Sequence, residues 1–310
     1  MELAYSAPSA RLRVRSRRRP VPAHDARVDL NSIFFLLFFA QFFIPLFQKR
    51  VLELRRQAAI RAVEQSRNSR VITMIHRQET MSFLGFPVAR YIDIEDSEQV
   101  LRAIRFTPPD MPIDLVLHTP GGLVLAAEQI AFALKRRQGK VTVFVPHYAM
   151  SGGCLLALAA DEIVMDPNAV LGPVDPQLGT AQSSFAAASV LKALEQPNPN
   201  RDDTTLILGD LAEKALRQVH ATVRQLLLEH HTEGDAERIA TALSSGQWTH
   251  DYPLDVEKLT ELGIKVGSDL PRSIHDLMDF YPQTSQRRPG VEFIPIPYPQ
   301  RTTEPAKTER

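Results

Sequence analysis

Ser151 stands at the junction of two apolar runs. Before it lie Val141 to Pro146 (VTVFVP) and His147-Tyr148-Ala149-Met150; after it come Gly152-Gly153 and Cys154 to Ala160 (CLLALAA). A serine between a strand end and a helix start projects from a sharp turn, and two following glycines leave room for a substrate carbonyl. The Gly152 N–H falls at a helix start, where unpaired donors face outward and favour negative charge. One unit earlier the same arrangement occurs: Ile113 to His118 (IDLVLH) runs into Thr119-Pro120-Gly121-Gly122 and an amphipathic helix, Leu123 to Lys135. Acyl transfer needs an exposed nucleophile and two donors aimed at the developing oxyanion. Ser151 supplies the first, and the turns at Gly121 and Gly152 are the candidate donors. A helix N-cap serine or a phosphate-binding turn gives similar patterns in other α/β proteins; it is the repetition in successive units that points to catalysis.

The elements around these turns alternate. Val71 to Arg77 and Glu162 to Met165 read as strands, and Asp96 to Ile104 as a helix with a carboxylate at its start. Strand–helix alternation predicts right-handed crossovers and a mainly parallel sheet, with the chemistry at the carboxyl ends of the strands.

These residues resemble a known family. HTPGG (118–122) and AMSGG (149–153) look like the two turns of Clp proteases and of signal-peptide peptidase A. ADEIVMDPNAVLGPVDPQ (160–177) and SSGQWTHDYPLDVEKLTELGIKV (244–266) resemble the membrane-anchored serine dehydrogenase proteinase family. The resemblance covers about residues 70–267. It implies an α/β, Clp/crotonase-type spiral of βαβ units, Ser151 as nucleophile, the N–H groups of Gly121 and Gly152 as oxyanion donors, and a homo-oligomer. The insert at 178–210 and the apolar helix faces are its candidate contacts.

The base is less direct. Clp proteases place a histidine shortly after the nucleophile, and between His147 and His220 this chain has none. Signal-peptide peptidase relatives use a lysine, which functions when burial lowers its pKa. Lys214, in the amphipathic LILGDLAEKALRQVHATVRQLL, is the first choice, with Lys192 a lesser one. The serine dehydrogenase proteinases are described as using Ser, Asp and His in that chain order, which Asp175 and then His250 would satisfy. His220 is a third choice. Cys154 reads as a small buried hydrophobe, and His230-His231 lack metal-ligand spacing. No phosphate loop or dinucleotide fingerprint is present, so no cofactor is expected and the reaction reads as ATP-independent.

The termini set the surroundings. Residues 1–27 contain RLRVRSRRR, and 283–310 are rich in Pro, Gln, Thr, Arg and Glu; both read as disordered tails. Lys plus Arg and Asp plus Glu balance at 36 each, which gives no electrostatic reason to expect nucleic acid. Ile33 to Phe47 (IFFLLFFAQFFIPLF) is the centre of an expected transmembrane anchor over 28–48, followed by an Arg-rich juxtamembrane helix over 49–69 and a peptidase domain over 70–282. Arginines flank the apolar run on both sides, so the side of the membrane stays open. The expectation is a single-pass, membrane-anchored serine endopeptidase acting on peptides or membrane-protein segments. Its rivals are a catalytically silent Clp-fold scaffold and a crotonase-like acyl-CoA enzyme.

Overall fold

The computed structural model describes residues 30–76, 81–83, 86–88, 91–180 and 183–281. The expected tails at 1–27 and 283–310 lie outside them. The chain divides into two compact units, residues 1–51 and 52–310.

In the first unit helix α1 (Leu30–Arg67) begins; it ends in the second. Phe34, Phe35, Leu37, Phe39, Phe43, Ile44 and Phe47 on it are exposed. The expected transmembrane span is corrected here: among the described residues no helix is long and apolar enough to cross a membrane. Polar Asn31-Ser32 and Gln48-Lys49-Arg50 bound the apolar run. At 1.5 Å per residue it covers about 22 Å, against roughly 30 Å of hydrocarbon.

The second unit is built on four parallel strands: β1 (Arg70–Ile75), β4 (Ile113–His118), β5 (Val141–Val145) and β7 (Glu162–Met165), in that spatial order. Every residue of β4 and β5 is buried, as expected of central strands covered on both faces. Between β1 and β4 come a short hairpin, β2 (Met81–Phe83) with β3 (Phe86–Val88), and helix α2 (Ile94–Arg105). A reciprocal capping box, Asp93 with Asp96, starts α2. Helix α3 (Val124–Lys135) follows β4; the two-residue β6 (Tyr148–Ala149) and helix α4 (Gly152–Leu158) follow β5.

Strand alternation sorts the core into two layers. Ile113, Leu115, Leu117, Val141, Val143 and Val145 belong to the same cluster as Ala126, Ile130 and Leu134 of α3 and the wholly buried α4. Val116, Phe144 and Val164 face the other way, onto Ala59, Ile60 and Val63 of α1 and onto Ile274 and Leu277 of α9 (Arg272–Met278). Residues 52–67, which read as part of a juxtamembrane helix, therefore cover a sheet face. Buried Asp114 fastens them: it accepts from Arg67 Nε at 2.5 Å and from Ser69 Oγ at 2.6 Å.

After β7 the chain forms β8 (Val170–Leu171), then a hairpin of β9 (Gln177–Thr180) and β10 (Ser183–Ala186), helix α5 (Ala187–Leu194) and the long α6 (Asp203–Leu227). The second half of α6 enters the main core through Val219, Val223, Leu226 and Leu227. Its first half makes a small cluster with α5 through Ala212, Ala187 and Val190. Phe185, Leu206, Ile207 and Leu211 in this insert stay exposed. Helices α7 (Glu233–Ser244) and α8 (Val256–Glu261) follow, and between them runs the loop that returns to the sheet's carboxyl end.

Candidate active site

Ser151 is held in an uncommon backbone conformation, φ 49° and ψ −116°. For a residue with a side chain this costs about 1–3 kcal/mol and persists only where neighbours over-determine it. Here they do. Met150 N–H donates to Thr119 O at 2.9 Å, Thr119 N–H to Tyr148 O at 3.1 Å, and Gly153 N–H to Met150 O at 2.8 Å. The segment before the serine is thereby stitched to the segment after β4, so the two Gly-Gly turns lie side by side. A methyl group on Gly121, whose φ is +103°, would stand 2.7 Å from Ser151 Cβ and 3.1 Å from Gly152 N. Nothing larger than glycine fits at 121.

The turns open on a cavity of about 860 Å³, lined among others by Gly122, Ser151, Gly152, Asp175, Gln177 and His250. One of its walls is apolar, with Leu155, Val170, Val174 and Val219. Asp175 is brought there by the stretch after β8, and His250 by the loop between α7 and α8. Leu171 and Leu254 exchange backbone hydrogen bonds at 2.9 Å, and Val174 N–H donates to Leu243 O at 2.9 Å. These bonds fasten the two segments together.

His250 Nδ1 lies 2.9 Å from Asp175 Oδ1, and Gln177 Nε2 donates to Asp175 Oδ2 at 2.6 Å. The Asp175 side chain is fully buried, whereas that of His250 is 35% exposed. A carboxylate only accepts, so Nδ1 carries the proton and Nε2 is left as the basic nitrogen. No hydrogen bond joins His250 to Ser151 among the described residues; such contacts commonly tighten only when substrate binds.

The other basic candidates lie elsewhere. Lys214 is on α6 with its side chain 54% exposed and its Nζ 2.5 Å from Asp210 Oδ2, one turn back. It does not line the cavity. Lys192 is exposed near the end of α5. His220 bridges α6 to α7 through Thr241 and Glu237. The helical pattern around Lys214 marked an apolar face, but the lysine sits off that face.

One donor also differs from expectation. Gly121 N–H is turned to Thr119 Oγ1, at 3.2 Å. It is Gly122 that lines the cavity, and the N–H groups of Gly122 and Gly152 have no acceptor among the described residues. An atom at the Cβ position of Gly152 would be 3.5 Å from Gly122 N. The Gly-Gly pair was visible in the sequence; which N–H is free depends on the Thr119 side chain. Cys154, three residues past the serine, is buried, and burial pushes its thiol up to about 12, so it stays protonated and inert.

The family described as ClpP-like SDH-type serine proteinase matches residues 22–307. The chain belongs to that family. Two uncharacterized proteins of Methanocaldococcus jannaschii are similar to this chain along most of its length. One is 51% identical over 90% of this chain and 94% of its own, the other 52% identical over 87% and 93%. A probable protease of Haemophilus influenzae, SohB, is 28% identical over 46% of this chain and 44% of its own. The fold and the family are thus those of a serine proteinase, as the resemblance implied.

Proposed function

We propose that this protein is a serine endopeptidase working through an acyl-enzyme on Ser151. The observation that carries the reading is the sharing of one cavity by the strained Ser151 turn and the His250–Asp175 pair, whose carboxylate is buried. Ser151 Oγ attacks the scissile carbonyl carbon while His250 Nε2 takes its proton. Asp175 holds the imidazole and stabilises the imidazolium. The carbonyl oxygen becomes an oxyanion facing the N–H groups of Gly122 and Gly152. The C–N bond then breaks, His250 protonates the leaving amine, and an ester remains on Ser151. Water, deprotonated by His250, attacks that ester; the C–O bond to Ser151 breaks, His250 returns the proton to Ser151 Oγ, and the acid is released. Lys214 takes no part. The apolar wall of Leu155, Val170, Val174 and Val219 supports a substrate segment with an apolar side chain next to the scissile bond.

The test is hydrolysis of an unstructured protein such as casein, and of apolar peptides, by the full-length chain. Cleavage that follows saturation kinetics supports the reading. A well-folded chain that cleaves nothing would favour the silent scaffold.

Membrane association is the second part of the proposal. The exposed phenylalanines of α1 form an apolar surface too short to span a bilayer but suited to insertion among acyl chains. Full-length protein is expected to float with phosphatidylcholine vesicles, and Phe35→Asp with Phe39→Asp to reduce flotation severalfold. Equal flotation of the double variant would remove α1 as the anchor.

A further inference from the structure

A second polar chain ends on the same catalytic turn. His76, immediately after β1, is almost fully buried. Its Nε2 faces Asp96 Oδ2 at 3.2 Å, and its Nδ1 lies 2.9 Å from Thr119 Oγ1. Thr119 Oγ1 in turn accepts from Gly121 N–H at 3.2 Å. The Asp96 carboxyl that receives the imidazole is also the third-position member of the α2 capping box, accepting from the N–H of the N-cap residue Asp93. Its pKa is lowered: burial alone would raise it, but the bonds to His76 and Asp93 outweigh that.

We propose that His76 is a positioning residue for the peptidase reaction: backed by Asp96, it holds Thr119 and, through Thr119, the peptide that aims the Gly122 N–H at the oxyanion. The inference rests on the endopeptidase reading and extends it to a side chain outside the cavity.

The Asp96 carboxylate requires the proton of neutral His76 on Nε2, which leaves Nδ1 an acceptor. The Thr119 hydroxyl has one hydrogen and two acceptors near it, His76 Nδ1 at 2.9 Å and Gly121 O at 3.4 Å. His76 takes the hydrogen, so the lone pairs of Thr119 face Gly121 N–H. Gly121 O remains for Ile92 N–H, which donates to it at 2.7 Å. A trans peptide is planar, so fixing the Gly121 carbonyl fixes the Gly122 N–H in the opposite direction. With both sides of Gly121 held, its φ of +103° is set and the Gly122 donor is preorganised. Without an acceptor at position 76, the hydroxyl turns toward Gly121 O and competes with Ile92.

Three variants test this: His76→Phe fills the space without an acceptor, Thr119→Val keeps the shape without the hydroxyl, and Thr119→Ser keeps the hydroxyl. The first two are expected to lower kcat by about 10- to 100-fold while KM changes less than about twofold. Affinity for a peptide boronate, which carries a tetrahedral oxygen, should fall in parallel. Affinity for the cleaved product peptide should not change, and Thr119→Ser should restore most of kcat. A purely structural role would lower the melting temperature and leave the kcat-to-KM split and the boronate affinity as in wild type; that result overturns the proposal. Wild-type protein without any peptidase activity would defeat the parent reading instead. Amide hydrogen exchange at Gly121 then decides the positioning itself: faster exchange in Thr119→Val supports it, and an unchanged rate overturns it.

Discussion

Ser151→Ala is expected to lower peptide hydrolysis by at least about 10⁴-fold while leaving substrate affinity and the melting temperature near wild type. The chemistry loses its attacking atom, and Cys154 nearby is buried and protonated and cannot substitute. Stability is spared because the Ser151 side chain makes no hydrogen bond among the described residues, and alanine inherits the same backbone strain. Relieving that strain separates the two effects. Ser151→Gly should be equally inactive yet more stable than Ser151→Ala by about 1 kcal/mol, since glycine tolerates positive φ. Chemical denaturation of the two inactive variants, in parallel with peptide turnover, reads both halves. A glycine variant no more stable than the alanine variant would contradict the strain assigned to this turn.

The second large effect falls on the base. His250→Ala is expected to lower kcat by about 10⁴-fold or more, and Asp175→Asn by a similar factor, with Lys214→Ala within about twofold of wild type. The asparagine change is the informative one. Asp175 accepts from His250 Nδ1–H on one oxygen and from Gln177 Nε2–H on the other. An amide offers one acceptor and one donor, so it satisfies only one of them unless the imidazole changes tautomer. That change puts the proton on Nε2 and removes the base. Lys214 is paired to Asp210 at the surface, and its loss leaves the cavity as it was. Turnover measured for the three variants on one peptide checks this; activity lost in Lys214→Ala but kept in His250→Ala would reverse the assignment.

The parts of the fold legible in the sequence are those with local signatures. Ile113 to His118 and Val141 to Val145 are largely apolar, wholly buried runs because they are central strands, and the turns that follow them are marked by glycine pairs, of which Gly121 and Gly122 leave no room for a side chain. The serine between such elements was legible for the same reason. What local pattern does not encode is pairing at a distance. His250 reaches Asp175 only because Leu171 and Leu254 exchange backbone bonds, and leucines in short segments carry no mark of that partnership. The choice of Gly122 over Gly121 rests on a threonine hydroxyl two residues away. Lys214 stood out because its helix is amphipathic, yet that pattern fixes which stripe is buried and not whether a lysine at its border is covered. The arginine-rich stretch after the phenylalanine run read as a juxtamembrane helix outside the domain because its apolar positions are few. Ala59, Ile60 and Val63 suffice to cover the sheet once Arg67 locks onto Asp114.

The measurement that bears most directly on Ser151 as nucleophile is intact mass and peptide mapping after reaction with a fluorophosphonate. One adduct per chain, mapped to Ser151 and strongly reduced in His250→Ala, is the expected result. An adduct on another residue, or none on a chain that is folded and cleaving peptide, would contradict the serine mechanism.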